Sequence, residues 1–453
     1  MPLFRSLFFC LIWLASAAGA AEVFPAGAPM RGPVSFIYAV YYATPPASKP
    51  LAVLAEVDAR QGNKIKLVQS FPKELTQPLA MASWVDTAQK TYTPPDLQHI
   101  KYFGRGLTPA QAEALQQAQH VLSLEFAMPA TPTYAGQQAA DRLVLQVAEQ
   151  TQGLIWDEET REIFTPDAWR KRHVDSWQGD TPNALTQTVI HAYQGDKMLR
   201  AITLGMAKFG LPDVVVNDFS RSNNAQVGNA IVALSQAMVE GQSVGQDGTV
   251  TLSLNKLKHE DVKSAQRHTS KPNAKPSVQI VLYKSKPEQG DPQNRLLELG
   301  FERYPGPDRY ARQVALFMDL YGFSDEVQKI KHTDAILAAS KAAKAKLPAL
   351  RTAFNAGLKP GEYLLVKAPF ATPDQRNEWM WVEVTQWRDK QITGLLNNEP
   401  AQIPTLHSGQ IVKVAMDDVF DYIHRYGDGK EDGNETGKLM EAQYAGKKDA
   451  QSR

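Results

Sequence analysis

Glu378-Trp379-Met380-Trp381-Val382-Glu383-Val384-Thr385-Gln386-Trp387 is the most strongly patterned stretch of the chain. Side chains alternate along a strand, so Met380, Val382 and Val384 fall on one face. Trp379, Trp381, Glu383, Thr385 and Trp387 fall on the other. Arg388-Asp389-Lys390 breaks the run and Gln391–Leu396 resumes it, which is a hairpin pattern. Gly394 inside the second run signals a bulge or a close backbone approach. Asn397-Asn398-Glu399-Pro400 is turn chemistry. Ile411, Val412 and Val414 make a further short strand.

Ahead of these strands, Ile336, Ser340, Ala343, Leu347, Leu350 and Phe354 recur every three or four residues, the stripe of a helix that packs on a sheet. Thr333 caps its start. Pro348 should kink or restart it, because proline lacks the N–H and clashes with the preceding turn. Asp334–Phe354, Leu365–Phe370, Glu378–Val384, Ile392–Pro400 and Gly409–Tyr422 present a helix, V-K-A-x-F, E-x-M-W-V, G-x-L-x-N-x-P and D-D-V-F-D-Y, in that order. Together they resemble the YegJ-like family, domain of unknown function 2314, over roughly the last quarter of the chain. The resemblance implies a small module of one helix and an antiparallel sheet over residues 326–440. It implies no activity, since the family has no assigned reaction.

Met1–Ala20 reads as a secretory signal. Arg5 is the positive end, Leu7–Leu14 the apolar core, and Ala18-Gly19-Ala20 a cleavage site, with cleavage expected after Ala20. The apolar run is short for a bilayer span, and no later segment approaches that length. The single cysteine, Cys10, lies inside this leader and lacks the small residues before it that lipidation requires. The mature chain is therefore expected without a disulfide, a cysteine metal site or a thiol nucleophile. A long exported chain without disulfides fits a bacterial periplasm. The chain has 49 Lys and Arg against 48 Asp and Glu, and loss of Arg5 brings the mature charge to zero. That balance argues against general affinity for nucleic acid or anionic membrane.

Along the chain, Val34–Tyr42, Leu51–Val57, Ile100–Phe103 and Val121–Met128 read as strands. Thr108-Pro109 with Gln111 forms a capping box that opens a helix. Gln137–Gln152 is an amphipathic helix, with Gly153 placed at its C-terminal end. Leu185–Tyr193 and Met198–Leu204 read as a hairpin closed at Gly195-Asp196, and Ser222–Glu240 as a helix with Val227, Ile231, Leu234 and Met238 inward. Strands and helices mix without regular alternation, so residues 34–254 are expected as an N-terminal α+β domain. Asn255–Ser277 is basic and poor in apolar residues and reads as a solvated linker. Residues 278–325 read as a small connecting segment and 441–453 as a frayed tail.

The chemical candidates are few, and no catalytic residue, metal ligand or cofactor is assigned. Gly241-Gln242-Ser243-Val244-Gly245 matches the nucleophile elbow G-x-S-x-G. Its order, helix before and strand after, is the reverse of what that elbow requires. Gly104-Arg105-Gly106 ahead of a capped helix could hold an anion, but it lacks a third glycine and a P-loop lysine. Asp417, Asp421 and His424 would share a helical face, and Asp428, Asp432 and Gly433 faintly echo a calcium loop that Lys430 and Leu439 spoil. His120, His173 and His191 have no ligand spacing. Trp379, Trp381 and Trp387, with Glu383 among them, form a stripe that either packs inside the sheet layers or presents a platform for a glycan or peptide. The expected function is an exported, soluble, non-catalytic protein that binds a protein or glycan partner. The alternatives are a periplasmic hydrolase using Ser243 and an inhibitor or immunity-type partner of a secreted protein.

Overall fold

The computed structural model describes residues 21–86, 92–131, 133–194, 198–322, 333–359, 361–374, 376–398, 400, 402–428 and 430–440. Residues 1–20, expected as a secretory signal, Gly195-Asp196, expected as a turn, and residues 441–453, expected as a frayed tail, lie outside the described residues.

Three sheets, each with its own helices, follow one another along the chain. The first comprises β1 (Val34–Tyr42), β2 (Lys66–Leu67), β3 (Leu79–Asp86), β4 (Gly104–Arg105), β5 (His120–Met128), β6 (Leu154–Asp157) and β7 (Glu162–Phe164), in the order β2-β3-β5-β1-β6-β7-β4. Helices α1 (Pro50–Arg60) and α4 (Ala135–Thr151) bring Val53, Leu54, Val57, Leu143, Val144 and Val147 onto Phe36, Tyr38, Val40, Leu124 and Phe126. Helices α2 (Leu97–Phe103) and α3 (Pro109–Leu115) cover the opposite face, where Ile100, Ala112 and Leu115 meet Ala39, Tyr41, Val121 and Ile163. A short α5 (Pro166–Trp169) follows the last strand.

Two of the expected strands here are helices. Leu51–Val57 lies in α1, where Pro50 fills the first turn and Val53, Leu54, Val57 and Asp58 turn inward at helical spacing. Ile100–Phe103 lies in α2, capped by the Asp96 carboxylate, which accepts the His99 N–H at 2.7 Å. A short apolar run does not by itself separate strand from buried helix, and the cap residues decide. The Thr108–Gln111 capping box forms as expected. At the end of α4 it is Gln152 that takes the left-handed conformation, φ 57°. Gly153 is needed for closeness instead: a Cβ there would sit 2.2 Å from Val40 Cγ1.

The second sheet holds β8 (Val189–Gln194), β9 (Leu199–Leu204), β10 (Asp213–Phe219), β11 (Thr249–Leu252), β12 (Val278–Ser285) and β13 (Leu296–Gly300), in the order β11-β12-β13-β10-β9-β8. Around it lie α6 (Ala184–Gln187), α7 (Asn224–Val239), α8 (Glu260–Thr269) and α9 (Arg309–Tyr321). Val227, Ile231 and Leu234 of α7 and Leu316, Phe317 and Leu320 of α9 share one core with Val214, Val216, Ile280, Leu282, Leu297 and Leu299.

This sheet overturns the expected division of the chain. Asn255–Ser277 is not a free linker: α8 occupies its middle, with Leu257, Val262 and Gln266 buried. Residues 278–325 are not a connector either. β12 pairs with β11 and β13, and β13 lies parallel to β10, so the segment fills the centre of the second sheet. Residues 34–254 accordingly contribute to two sheets. The basic side chains of α8 mask a narrow apolar stripe, and strand pairing across that distance leaves no local signal.

The third sheet, β14 (Tyr363–Ala371), β15 (Asn377–Arg388), β16 (Gln391–Leu396), β17 (Ile411–Ala415), β18 (Asp421–Arg425) and β19 (Glu431–Gly433), is antiparallel throughout, in the order β17-β16-β15-β14-β18-β19. One helix, α10 (Asp334–Asn355), lays Ala343 and Leu347 onto Val366, Met380, Val382, Val384, Ile392 and Val414. It is capped by Thr333 and runs through Pro348 without restarting. The fold class is α+β, with a C-terminal helix-plus-antiparallel-sheet unit. Among the described residues no helix is long and apolar enough to cross a membrane.

Candidate functional site

A cleft of about 690 Å³ opens where all three units meet. The first unit contributes Tyr102 and Phe103 from the end of α2 and Arg105 from β4. The second contributes Val189 to Tyr193 of β8, Leu199 of β9, and Arg221 and Asn224 at the start of α7. Leu358 and Gly361, between α10 and β14, close the third side.

Each polar group in the cleft is positioned by its own element. Pairing of β4 with β7 puts Arg105 beside Glu162. The guanidinium donates from Nε to Glu162 Oε1 at 2.6 Å and from Nη1 to the Tyr102 carbonyl at 3.1 Å. The Glu162 side chain is fully shielded while Arg105 keeps 30% of its own exposed, so the cation stands between its carboxylate and solvent. The His191 ring stacks on Phe103 at 4.6 Å and 22°. His99 flanks the same phenylalanine at 4.7 Å, and its Nε2 meets the Arg161 carbonyl at 2.7 Å. His191 Nε2 is buried with no hydrogen-bond partner among the described residues. Burial, and then the charges of Arg161, His99 and Arg105, push its pKa down to about 4, so the ring is neutral at ordinary pH. Tyr193 Oη accepts from Arg200 Nη1 at 2.9 Å, and Arg200 in turn is paired with Asp291 at 2.8 Å.

A smaller cavity of about 250 Å³ adjoins the cleft, sharing Leu199, Arg221 and Leu358 with it. Glu383 lines it. The Glu383 carboxylate, 3% exposed, accepts the backbone N–H of Arg221 at 2.8 Å and of Ser222 at 3.1 Å. These are among the first amides of the helical segment that continues into α7, where free N–H groups and the helix dipole favour an anion. Glu383 is thus a helix cap delivered from another unit. Burial raises its pKa, and the donated N–H groups oppose that rise. Asn397 Nδ2 adds a hydrogen bond to Ser222 Oγ at 2.8 Å.

The tryptophan stripe does not form as one surface. The pairing of β15 with β16 shifts register between Val384 and Gln386, a bulge that moves Trp387 to the opposite face. There it is 2% exposed, in the core with Met380, Val382 and Val384. Trp379 is half-buried against Phe420, ring centroids 4.5 Å apart. Trp381 is half-buried beneath the Lys367 ammonium, 5.4 Å from its ring.

Ser243 is exposed on a turn after α7, and Val244 bridges to Gly27. No strand-to-helix elbow surrounds it. Arg105 of Gly104-Arg105-Gly106 faces the cleft, while the start of α3 is satisfied by its own Thr108 and Gln111. Asp421 and His424 lie on strand β18 rather than on a helix with Asp417. Asp421 accepts from the Thr436 N–H, whereas Asp417 pairs with Lys390 at 3.0 Å. Asp428 pairs with Lys430, and Asp432 with Lys346 and Tyr422. Among the described residues no cluster of three or more His, Cys, Asp or Glu is placed to hold a metal ion. His173 is buried flat against Trp169 at 3.9 Å. Arg221 and Leu358 carried no sequence signal. Val189, His191 and Tyr193 alternate along a strand, which is the only pattern that could have grouped them.

Residues 332–452 match a family described as "Uncharacterized protein conserved in bacteria (DUF2314)". The match covers the third unit of the chain. No curated protein and no solved structure matches the chain.

Proposed function

We propose that this chain is an exported binding protein of the bacterial periplasm that takes a small molecule into the three-unit cleft. The observation that carries the reading is the cleft itself: about 690 Å³, walled by residues from all three units. That size falls within the range of small-molecule sites, and such sites favour junctions between units. Phe103, Val189, Ile190, Leu199 and Leu358 supply an apolar wall, with Arg105, His191, Tyr193, Arg221 and Asn224 as the polar groups that would orient a guest. Export is supported by the leader composition of residues 1–20.

Ala192 lines the cleft and is exposed, so Ala192→Trp fills it without disturbing a core. In a thermal-shift screen of small metabolites, compounds that raise the melting temperature of the parent protein should lose that effect in Ala192→Trp. Hits that survive the substitution would place binding elsewhere. For export, osmotic-shock fractionation should release the protein shortened at its N-terminus; full-length protein in the spheroplast fraction would refute it.

A further inference from the structure

Resting on the cleft as the binding site, we infer that its ligand is an organic anion: a carboxylate, sulfonate or phosphate group held by Arg105 and Arg221, on an apolar or aromatic body seated against Phe103, Ile190, Leu199 and Leu358. Among the described lining residues there are two arginines and no carboxylate. Four acids lie close by, and none of them lines the cleft: Glu288 and Asp291 reach the Tyr193 hydroxyl but pair with Arg200 at 3.0 and 2.8 Å. Glu162 is completely shielded behind Arg105, and Glu383 is 3% exposed, its oxygens committed to the amides of Arg221 and Ser222. The charged side chains that line the cleft are therefore both cationic. Burial first, and then the charges of Arg161, His99 and Arg105, keep His191 neutral beside them.

Size argues against an inorganic ion alone. A water molecule occupies roughly 30 Å³, so the cleft has room for roughly twenty, far more than a phosphate displaces. The remainder is walled by aliphatic and aromatic side chains, and burying apolar area there adds affinity that an ion alone lacks. Guanidinium groups suit the charged end because each stays cationic and carries five N–H donors: Arg105 engages Glu162 and the Tyr102 carbonyl with part of its set, and Arg221 donates to the Glu362 carbonyl from Nη1 at 3.3 Å. The backbone cap at Arg221 fixes the Cα from which that side chain departs, so Glu383 serves the cleft as a positioning residue.

Two fluorescent probes separate body from charge: 1-anilinonaphthalene-8-sulfonate, and N-phenyl-1-naphthylamine, nearly the same ring system without the sulfonate. The full chain should bind the sulfonate at least tenfold more tightly than the amine. Arg221→Gln should weaken the sulfonate by about tenfold and leave the amine within twofold. Arg105→Lys, which keeps a cation beside Glu162 and so protects the fold, should weaken the sulfonate by a smaller factor. Raising NaCl should weaken the sulfonate alone. Ala192→Trp should abolish both. Equal affinities unaffected by either arginine variant, or no binding of the sulfonate, would overturn the inference. Probe binding that persists unchanged in Ala192→Trp would instead defeat the cleft as the site.

Discussion

The joint between the first and second units and the joint between the second and third bury charge by different means. At the first, Lys208 of the second unit donates to Asp157 of β6 at 2.6 Å, with both side chains essentially unexposed. Beside this pair, Asp141 accepts from Tyr38, Trp177 and Gln187, and Gln137 donates to the Lys208 carbonyl at 3.0 Å. At the second, one carboxylate, Glu383, meets two backbone amides, and among the described residues no ion pair forms with it. A buried ion pair attracts strongly but must offset the desolvation of two charges. A carboxylate on a helix start desolvates one charge and satisfies donors that would otherwise be orphaned. The first joint is thus an interlocked network, and the second is a single cap with neighbouring hydrogen bonds. Domain separation should be easier at the second.

Removing Lys208 should have the largest effect. Lys208→Met leaves Asp157 buried without its counter-charge, at a cost of about 3–5 kcal/mol in chemical denaturation. A loss below about 1 kcal/mol would show that the pair is solvated in solution. Glu383→Ala should cost about 2 kcal/mol, the usual scale of a strong cap or a charged hydrogen bond. Its signature should be local: the third unit should unfold as a separate transition in calorimetry, or be released by limited proteolysis, while the first two units stay cooperative. A uniform fall in one transition would mean that Glu383 does not govern this joint.

The third test uses pH. Burial lifts Asp141 to about 7, against the stabilising influence of Lys208 and three hydrogen bonds on its charged form. An unfolded aspartate titrates near ~3.9, so between these values the folded chain holds a proton that the unfolded chain lacks. The stability linked to this group is complete below the unfolded value and is lost as pH rises through the folded one. Relative to Asp141→Asn, the parent protein should lose about 1 kcal/mol per pH unit between pH 5 and 7. A flat difference would place Asp141 in an ionised, solvated setting. The smallest effect belongs to the surface. Lys390 and Asp417, 75% and 69% exposed, make an ion pair at 3.0 Å, and Lys390→Ala should leave the unfolding midpoint unchanged within error.

Much of the third unit was legible residue by residue. Ala343 and Leu347 of the stripe sit on the sheet, Ile336 clusters with Phe420 and Met440, Thr333 caps the helix, and the hairpin after Arg388 forms. Trp387 was misplaced because one extra residue in the ladder reverses every later side chain, and a bulge leaves no reliable mark in composition. In the first unit, the strand expectation for Leu51–Val57 fails for a different reason: the run is short, and the Pro50 just before it fits the first turn of a helix, which tolerates proline well. The candidate site was nearly invisible. Arg105, His191, Arg221 and Leu358 span more than half of the chain and meet only when three sheets pack together.

The sequence by itself determined the local elements of this protein: the Thr108 capping box, the Thr333 cap, the alternating strands of the C-terminal sheet, and the absence of any internal disulfide from a chain with one cysteine. These depend on neighbours a few residues apart, whose spacing can be read directly. Tertiary structure alone decided that β13 lies beside β10, that Glu383 caps a helix more than 160 residues earlier, and that an arginine-lined cleft exists. Such contacts depend on the shapes and desolvated charges of surfaces that exist only after the elements have formed.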